Sequence, residues 1–95
     1  MKILALEKNV HGIPDSAFTD DLLKKEAARA WELHRAGVIR ELYFRADRHE
    51  AVLVLECDNV NEARSVVATL PLVSGGLIDF EIIPLIPYTG FERLF

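Results

Sequence analysis

Residues 38–57 read VIRELYFRADRHEAVLVLEC and predict two β-strands joined by a polar turn. The first strand has two faces of different polarity, one with Val38, Arg40, Leu42 and Phe44 and the other with Ile39, Glu41, Tyr43 and Arg45. The first face is the more apolar, so we expect it to pack against helices. Residues 47–50 are polar and short enough for a hairpin turn, and residues 51–57 form a nearly continuous apolar strand.

A helix is predicted on each side of this hairpin. The first begins after the N-cap residue Thr19 and ends at Gly37, which suits the left-handed conformation that follows a helix end. The second begins at Asp58 or Asn59, either of which can cap it, and runs to about Thr69.

Two further strands complete the pattern. Residues 1–8 form a short apolar run, and residues 77–83 alternate between apolar and acidic side chains up to Pro84. The resulting order βαββαβ is that of the ferredoxin-like α+β fold, an antiparallel sheet with two helices on one face. We therefore predict a single domain over residues 1–95, with residues 85–95 as an extended C-terminal arm.

The chain is more apolar than one small domain can easily bury. Hydrophobic residues make up 51% of its 95 residues, and the mean hydropathy is +0.16. We predict that the uncovered face of the sheet packs on the same face of a second copy, which would hide this surplus. For the arm, we favour contact with a neighbouring subunit over folding back onto its own.

Charge and cysteine content argue against several classes of function. The net charge of −4 provides no basic field for nucleic acid or anionic membranes. The first residues are too short an apolar run for a membrane span or a signal peptide, so we expect a cytoplasmic protein. The one cysteine excludes an intrachain disulfide, and the three histidines lack metal-ligand spacing, so we expect no metal site.

Two polar residues, Glu26 and His34, interrupt the apolar half of the first predicted helix. They lie about 80° apart around the helix and about 12 Å apart along it. Arg40 is the only charged residue on the more apolar face of the following strand. A carboxylate, an imidazole and a guanidinium facing an apolar space are suited to acid–base chemistry, because burial moves pKa values toward working pH. In the structural alternative, Glu26 and Arg40 form an ion pair and His34 stabilises the negative end of the helix.

Several segments resemble the muconolactone Δ-isomerase family. The C-terminal half carries Leu70-Pro71-Leu72, Asp79-Phe80-Glu81 and Leu85. Upstream, the family pattern matches without a gap at Leu22, Glu26, Ala30, Leu33, Arg35, Gly37, Arg40, Leu42 and Ala46. The resemblance implies a dimeric α+β barrel of two subunits joined sheet to sheet, often assembled into larger rings, and a part in the breakdown of aromatic compounds.

The resemblance also implies an isomerase that moves a proton along a lactone bearing a carboxylate and needs no cofactor. Such a reaction requires a base, an acid and a cation for the carboxylate. We assign Glu26 and His34 as the base and acid, and Arg40 as the substrate anchor. Tyr43 is a second candidate for substrate binding, although an inter-subunit hydrogen-bond network would also account for it. The chain departs from the family pattern on the second strand, at Ile39, Glu41 and Tyr43.

Two other functions stay open at this point. One is a non-catalytic barrel that binds a small apolar acid or supports an assembly, and the other is a cofactor-free monooxygenase of the same superfamily. The space between the first helix and the sheet discriminates between the first of these and the isomerase. An apolar space there favours the isomerase, whereas a space filled by leucine and tryptophan side chains argues against it.

Overall fold

The strands of the computed structural model, which describes all 95 residues, are β1 (Lys2–Asn9), β2 (Ile39–Phe44), β3 (Ala51–Glu56) and β4 (Ile78–Pro84). They form one antiparallel sheet in the order β2-β3-β1-β4. The helices are α1 (Asp20–Arg35), α2 (Val60–Val67) and the short α3 (Pro71–Ser74), with 3₁₀ turns at Asp15–Ala17 and Gly90–Leu94. This arrangement confirms the predicted ferredoxin-like α+β fold; α3 is the helix that the sequence did not predict.

Both long helices begin where their capping residues predict. The Thr19 hydroxyl accepts a hydrogen bond from the Leu22 N–H, and the Asn59 side chain accepts one from the Glu62 N–H at 2.8 Å. Gly37 follows the end of α1 with φ +79°, as predicted for a residue that reverses the chain. None of the helices is both long enough and apolar enough to cross a bilayer.

The hydrophobic core lies between the helices and one face of the sheet. Ile3 and Leu55 pair across β1 and β3, and both are completely buried. The helices cover them with a set of buried side chains that comprises Leu33, Ala63, Val67, Leu70 and Leu72. We call this face of the sheet the helix side and the opposite one the open face.

A β-bulge at the start of β2 changes which side chains face the helices. Ile39 pairs with Leu55 and Glu41 pairs with Val54, so Arg40 is the extra residue between them. Ile39 is consequently 1% exposed on the helix side. The prediction that Arg40 faces the helices and Ile39 the open face was therefore wrong, because strict alternation does not survive an inserted residue.

After the bulge the predicted alternation is restored. Leu42 and Phe44 pair with Leu53 and Ala51 and lie on the helix side. On the open face, the strand registers align a half-buried apolar stripe flanked by polar edges. The stripe consists of Leu4, Leu6, Val52, Val54 and Ile83, and the edges carry Glu41, Tyr43, Asp79 and Glu81. No element of the chain covers this face.

The C-terminal arm, residues 85–95, extends away from the body of the subunit. Its one backbone hydrogen bond to the body is from the Leu85 N–H to the Lys2 carbonyl, at 3.0 Å. The chain measures 56 × 28 × 22 Å, and its radius of gyration is 15.1 Å, against about 12.4 Å for a compact chain of this length. The arm is therefore not folded back; its contact with a neighbour stays a prediction.

Candidate active site

Two glutamates lie on the helix side of the sheet. Glu7 follows Ile3 and Ala5 in the alternation of β1, so its side chain lies on the helix side, where it is half-buried. Its Oε1 accepts a hydrogen bond from the Ala51 N–H at 3.0 Å, at the start of β3. This bond fixes one carboxylate oxygen and leaves the other without a hydrogen-bond partner in the chain.

Glu26 approaches the same region from α1. It lies on the stripe of α1 that includes Leu22 and Leu33 and faces the sheet. Its Oε1 accepts a hydrogen bond from the Leu72 N–H of α3 at 2.9 Å. Glu26 and Arg40 form no ion pair, so the structural alternative in which these two residues pair was wrong.

Both glutamates have a raised pKa. Burial is the main cause for each residue. The negative charge of Glu50 further raises the pKa of Glu7, and the negative charge of Glu7 further raises the pKa of Glu26. The two backbone N–H bonds stabilise the ionised forms and oppose the rise. The charge of Glu7 contributes to the raised pKa of Glu26, so the two carboxyls lie within electrostatic range of each other on the helix side. A raised pKa suits a carboxyl to proton transfer near neutral pH.

The raised pKa of Glu7 predicts how the Glu7→Gln variant unfolds. The pKa of Glu7 in the folded chain exceeds its ordinary value of 4.5, so the protonated carboxyl contributes its full stabilisation below pH 4.5. This contribution is lost as the pH rises through the pKa of the folded state. Glutamine keeps an acceptor for the Ala51 N–H without the charge. We expect the variant to have a higher Tm than the natural chain at about pH 8 and a similar Tm at about pH 4. Thermal unfolding followed by circular dichroism measures this, and a lower Tm for the variant at the higher pH would contradict it.

Beside α1, the helix-side face of β2 carries exposed apolar side chains; we call this surface the β2 groove. Leu42 and Phe44 form its floor, and Phe44 is 64% exposed. Two hydrogen bonds show which side of α1 faces β2. His34 bonds with the Ile39 carbonyl of β2, whereas Arg29 donates to Thr69, which lies just after α2. By helical spacing, the side of α1 with His34 also carries Leu23 and Trp31, so these two side chains form the wall.

Glu7 lies in the same row of the sheet as this groove. The registers align Phe44, Ala51 and Glu7 side by side on β2, β3 and β1. Ala51, between Phe44 and Glu7, has the smallest side chain of this row. The His49 ring stacks on Phe44 with 4.0 Å between ring centroids and borders the open end of this row.

The β2 groove is open in a single chain rather than an enclosed cavity. Two other cavities are present: one of about 610 Å³ beside Met1, Lys2 and residues 85–87, and one of about 310 Å³ around residues 9–18 and Leu77. Neither is lined by Glu7 or Glu26. Between α1 and the sheet the core is packed, with Leu33, Leu53 and Leu55 buried, so the test set out from the sequence does not favour the isomerase. Trp31, which is 60% exposed, takes no part in this packing.

The remaining predicted site residues lie apart from the two glutamates. His34 is exposed, and its Nδ1 lies 2.9 Å from the carbonyl oxygen of Ile39, to which it donates in the tautomer that leaves Nε2 as an acceptor. Arg40 is also exposed, and its Nε donates to the Gly37 carbonyl. Both residues thus lie near the C-terminal end of α1, where the β2 groove ends.

Tyr43 lies on the open face, so the sheet separates it from Glu26 within one chain. Its hydroxyl donates a hydrogen bond to Glu41 Oε1 at 2.8 Å, and this bond to a carboxylate raises the pKa of Tyr43. A role for Tyr43 in substrate binding therefore requires a ligand between two facing sheets and stays a prediction.

Glu7 and the Phe44–His49 pair are the residues that the sequence analysis missed. The sequence does contain a pattern that points to Glu7. It lies on the same face of the first strand as Ile3 and Ala5, and it is the one charged residue on that face within residues 1–8. The Phe44–His49 stack depends on the path of the hairpin turn, for which local sequence carries no comparable signal.

The chain is similar to known proteins in family pattern and in fold. The family model described as muconolactone delta-isomerase matches residues 5–90. The crystal structure of a muconolactone isomerase aligns with a TM-score of 0.73 and 23% identity, over 94% of this chain and 92% of that one. A 5-chloro-2-hydroxyhydroquinone dehydrochlorinase from Burkholderia phenoliruptrix AC1100, in complex with 2,5-dihydroxybenzoquinone, aligns with a TM-score of 0.61 and 17% identity, over 95% and 98%. No curated protein matches the sequence significantly.

Proposed function

We propose that this chain, which belongs to the muconolactone delta-isomerase family, moves a proton between two carbons of a small lactone that carries a carboxylate. No cofactor takes part in the proposed step. The observation that carries the proposal is the pair of helix-side glutamates, Glu7 and Glu26, each of which accepts one backbone N–H bond and has a pKa raised by burial.

In the proposed reaction Glu26 is the base. Its ionised carboxylate removes a proton from a ring carbon, and the electron pair of that C–H bond moves into the lactone to give an enolate. The raised pKa makes Glu26 a stronger base than an exposed glutamate. The Leu72 N–H, which holds Oε1, leaves Oε2 free to face the substrate.

Glu7 is the acid in this proposal. Burial favours its protonated form, which donates a proton to a second carbon of the enolate and so shifts the double bond. The product has the same atoms as the substrate. Glu26 then holds a proton and Glu7 a charge, and proton exchange with water restores the starting state.

We propose that the substrate carboxylate binds at the other end of the β2 groove. Arg40 and His34 are the exposed cationic and polar groups there, and the Arg40 guanidinium has only the Gly37 carbonyl as partner. A guanidinium binds a carboxylate through two parallel hydrogen bonds, which would orient the lactone with its ring toward the glutamates.

The Arg40→Ala variant tests this end of the groove. We expect the KM for a carboxylated lactone to rise about 10- to 100-fold, the value of a charge-assisted hydrogen bond, with a smaller change in kcat. A lactone without a carboxylate should show no such rise. Arg35→Ala, an exposed arginine near the same end of α1, is the matched control. Loss of folding in Arg40→Ala, seen by circular dichroism, would instead assign Arg40 a structural role.

The activity itself is tested by proton exchange. Muconolactone and related unsaturated lactones are incubated with the chain in D₂O, and NMR follows deuterium entering the ring carbons. Exchange above the buffer rate at high protein concentration is expected. Exchange no faster than in buffer for the whole series would refute the proposed function.

A further inference from the structure

Glu50 is the one buried charged residue of the chain. It is 7% exposed and ends the β2–β3 turn, residues 45–50, directly before β3. A buried carboxylate costs free energy unless cations and hydrogen bonds compensate its charge. Exposed polar residues are enough to reverse the chain between two strands, so chain reversal alone does not require a buried glutamate at this position.

Two arginines of the β2–β3 turn hold the Glu50 carboxylate. Arg48 Nε donates to Glu50 Oε1 at 2.7 Å, and Arg45 Nη1 lies 3.9 Å from the same oxygen. The main chain closes the same turn, because the Arg45 N–H donates to the Glu50 carbonyl at 2.9 Å and the Glu50 N–H donates to the Arg48 carbonyl at 2.8 Å. Arg45 is itself held by two hydrogen bonds to Asp47. Side chains and main chain together therefore fix the position of Glu50.

This fixed carboxylate is adjacent to the acid of the proposed reaction. The residue after Glu50 is Ala51, whose N–H donates to Glu7 Oε1. The Cα atoms of two consecutive residues are about 3.8 Å apart, so a displacement of Glu50 also displaces the donor that holds Glu7. The negative charge of Glu50 contributes to the raised pKa of Glu7. The turn thus acts on Glu7 through one hydrogen bond and through one charge.

The other titratable groups that act on Glu7 come from the turn and from α1. His49 of the turn opposes Glu50, since a positive imidazolium favours the ionised form of Glu7. Glu26 of α1 lies within electrostatic range of Glu7. On the other side Glu7 pairs with Phe80 of β4, and neither α3 nor the helix-side residues of β4 carry a charge. Glu50 is therefore the negative group that the turn directs at Glu7.

We propose that Glu50 is a positioning residue for the proposed acid: held by Arg45 and Arg48, it keeps the Ala51 N–H on Glu7 and a negative charge within electrostatic range of it. A like charge disfavours ionisation of Glu7, so Glu7 retains the proton that the proposed reaction transfers to the enolate. The inference rests on the proposed function in taking Glu7 as the acid.

The Glu50→Gln variant tests this role without any turnover. Glutamine keeps an oxygen that can accept from Arg48, but it removes the charge. NMR titration of ¹³C-labelled glutamate carboxyls gives the pH midpoint of Glu7, whose signal is assigned by its absence in Glu7→Gln. We expect the midpoint to move to lower pH in Glu50→Gln, because a like charge is gone and the two arginines are no longer compensated. An unchanged or higher midpoint would overturn the proposal.

Arg48→Gln is a second variant, and it should fold because the Arg48 side chain is exposed. It leaves the charge of Glu50 less compensated, so we expect the Glu7 midpoint to move to higher pH, opposite to its change in Glu50→Gln. A turn that served only to join the strands would not produce shifts of opposite sign. If Glu50→Gln does not fold, an unchanged or lower midpoint in Arg48→Gln overturns the proposal by itself.

Asp47→Asn is the matched control, because it removes a negative charge from the exposed side of the same turn. It should leave the Glu7 midpoint unchanged. Equal shifts in Asp47→Asn and Glu50→Gln would show that net charge alone matters, and would overturn the proposal.

The pH profile of kcat links this role to the reaction. A general acid must be protonated, so kcat falls as the pH rises through its pKa. We expect this fall at lower pH in Glu50→Gln and at higher pH in Arg48→Gln than in the natural chain. Opposite NMR shifts of Glu7 without deuterium exchange into any lactone would support the role of Glu50 at Glu7 and refute only the proposed function.

Discussion

The Glu26→Gln variant is expected to isomerise a carboxylated lactone about 100- to 10,000-fold more slowly than the natural chain, which is the usual contribution of a positioned acid or base. Glutamine has nearly the same shape and keeps an oxygen to accept the Leu72 N–H bond, so the fold should persist. What it loses is the ability to take a proton. The KM should change much less than kcat, because the proposed carboxylate anchor at Arg40 is untouched.

Steady-state kinetics and deuterium exchange measure this effect. The matched control is Glu32→Gln, on the same helix but exposed and paired with Arg29 at the surface. The control should keep near-natural activity. Equal activity in Glu26→Gln and the natural chain would remove Glu26 from the mechanism, and equal loss in both variants would indicate a general effect on α1.

The Leu6→Lys variant is expected to separate the subunits. Leu6 lies in the middle of the open face, between Val52 and Glu81 on the neighbouring strands. If this face packs on a second copy, each dimer must bury two lysines, and desolvating an unpaired charge costs several kcal/mol. A cost of about 3 kcal/mol weakens association by about 100-fold. Single chains would then predominate at micromolar concentration.

Analytical ultracentrifugation of Leu6→Lys against the natural chain measures this change. Val10→Lys is the control, since Val10 is an exposed apolar residue beyond the end of β1. It should leave the assembly unchanged. A Leu6→Lys chain with the natural mass in solution would place the subunit interface elsewhere.

Much of the fold could be predicted because local signals and periodicity agree. Thr19 and Asn59 have side chains that can cap a helix, and each precedes a segment with apolar residues at helical spacing. Gly37 can adopt the left-handed conformation that commonly follows a helix end. The polar residues 47–50 between two apolar runs define a hairpin. These signals act over a few residues, so they are readable in sequence.

The site was less predictable because its geometry depends on pairing between distant strands. The bulge at Arg40 is set by how β2 aligns with β3, and one inserted residue moved Ile39 to the helix side. Glu26 was identified because a carboxylate in an apolar helix stripe is conspicuous. Its proximity to Glu7 follows from the packing of α1 on the sheet, which periodicity does not encode.

The bulge has a further effect, on aggregation. β2 is an edge strand, and an uninterrupted edge offers N–H and C=O groups to which another chain can add as a further strand. Arg40 is left out of the hydrogen-bonded pairing with β3, so the backbone N–H and C=O groups of β2 are irregularly spaced at the start of the strand, where Arg40 also adds a charge. The addition of further strands at this edge is therefore disfavoured. The β2 edge is therefore protected against uncontrolled polymerisation, even though the chain exposes large apolar side chains elsewhere.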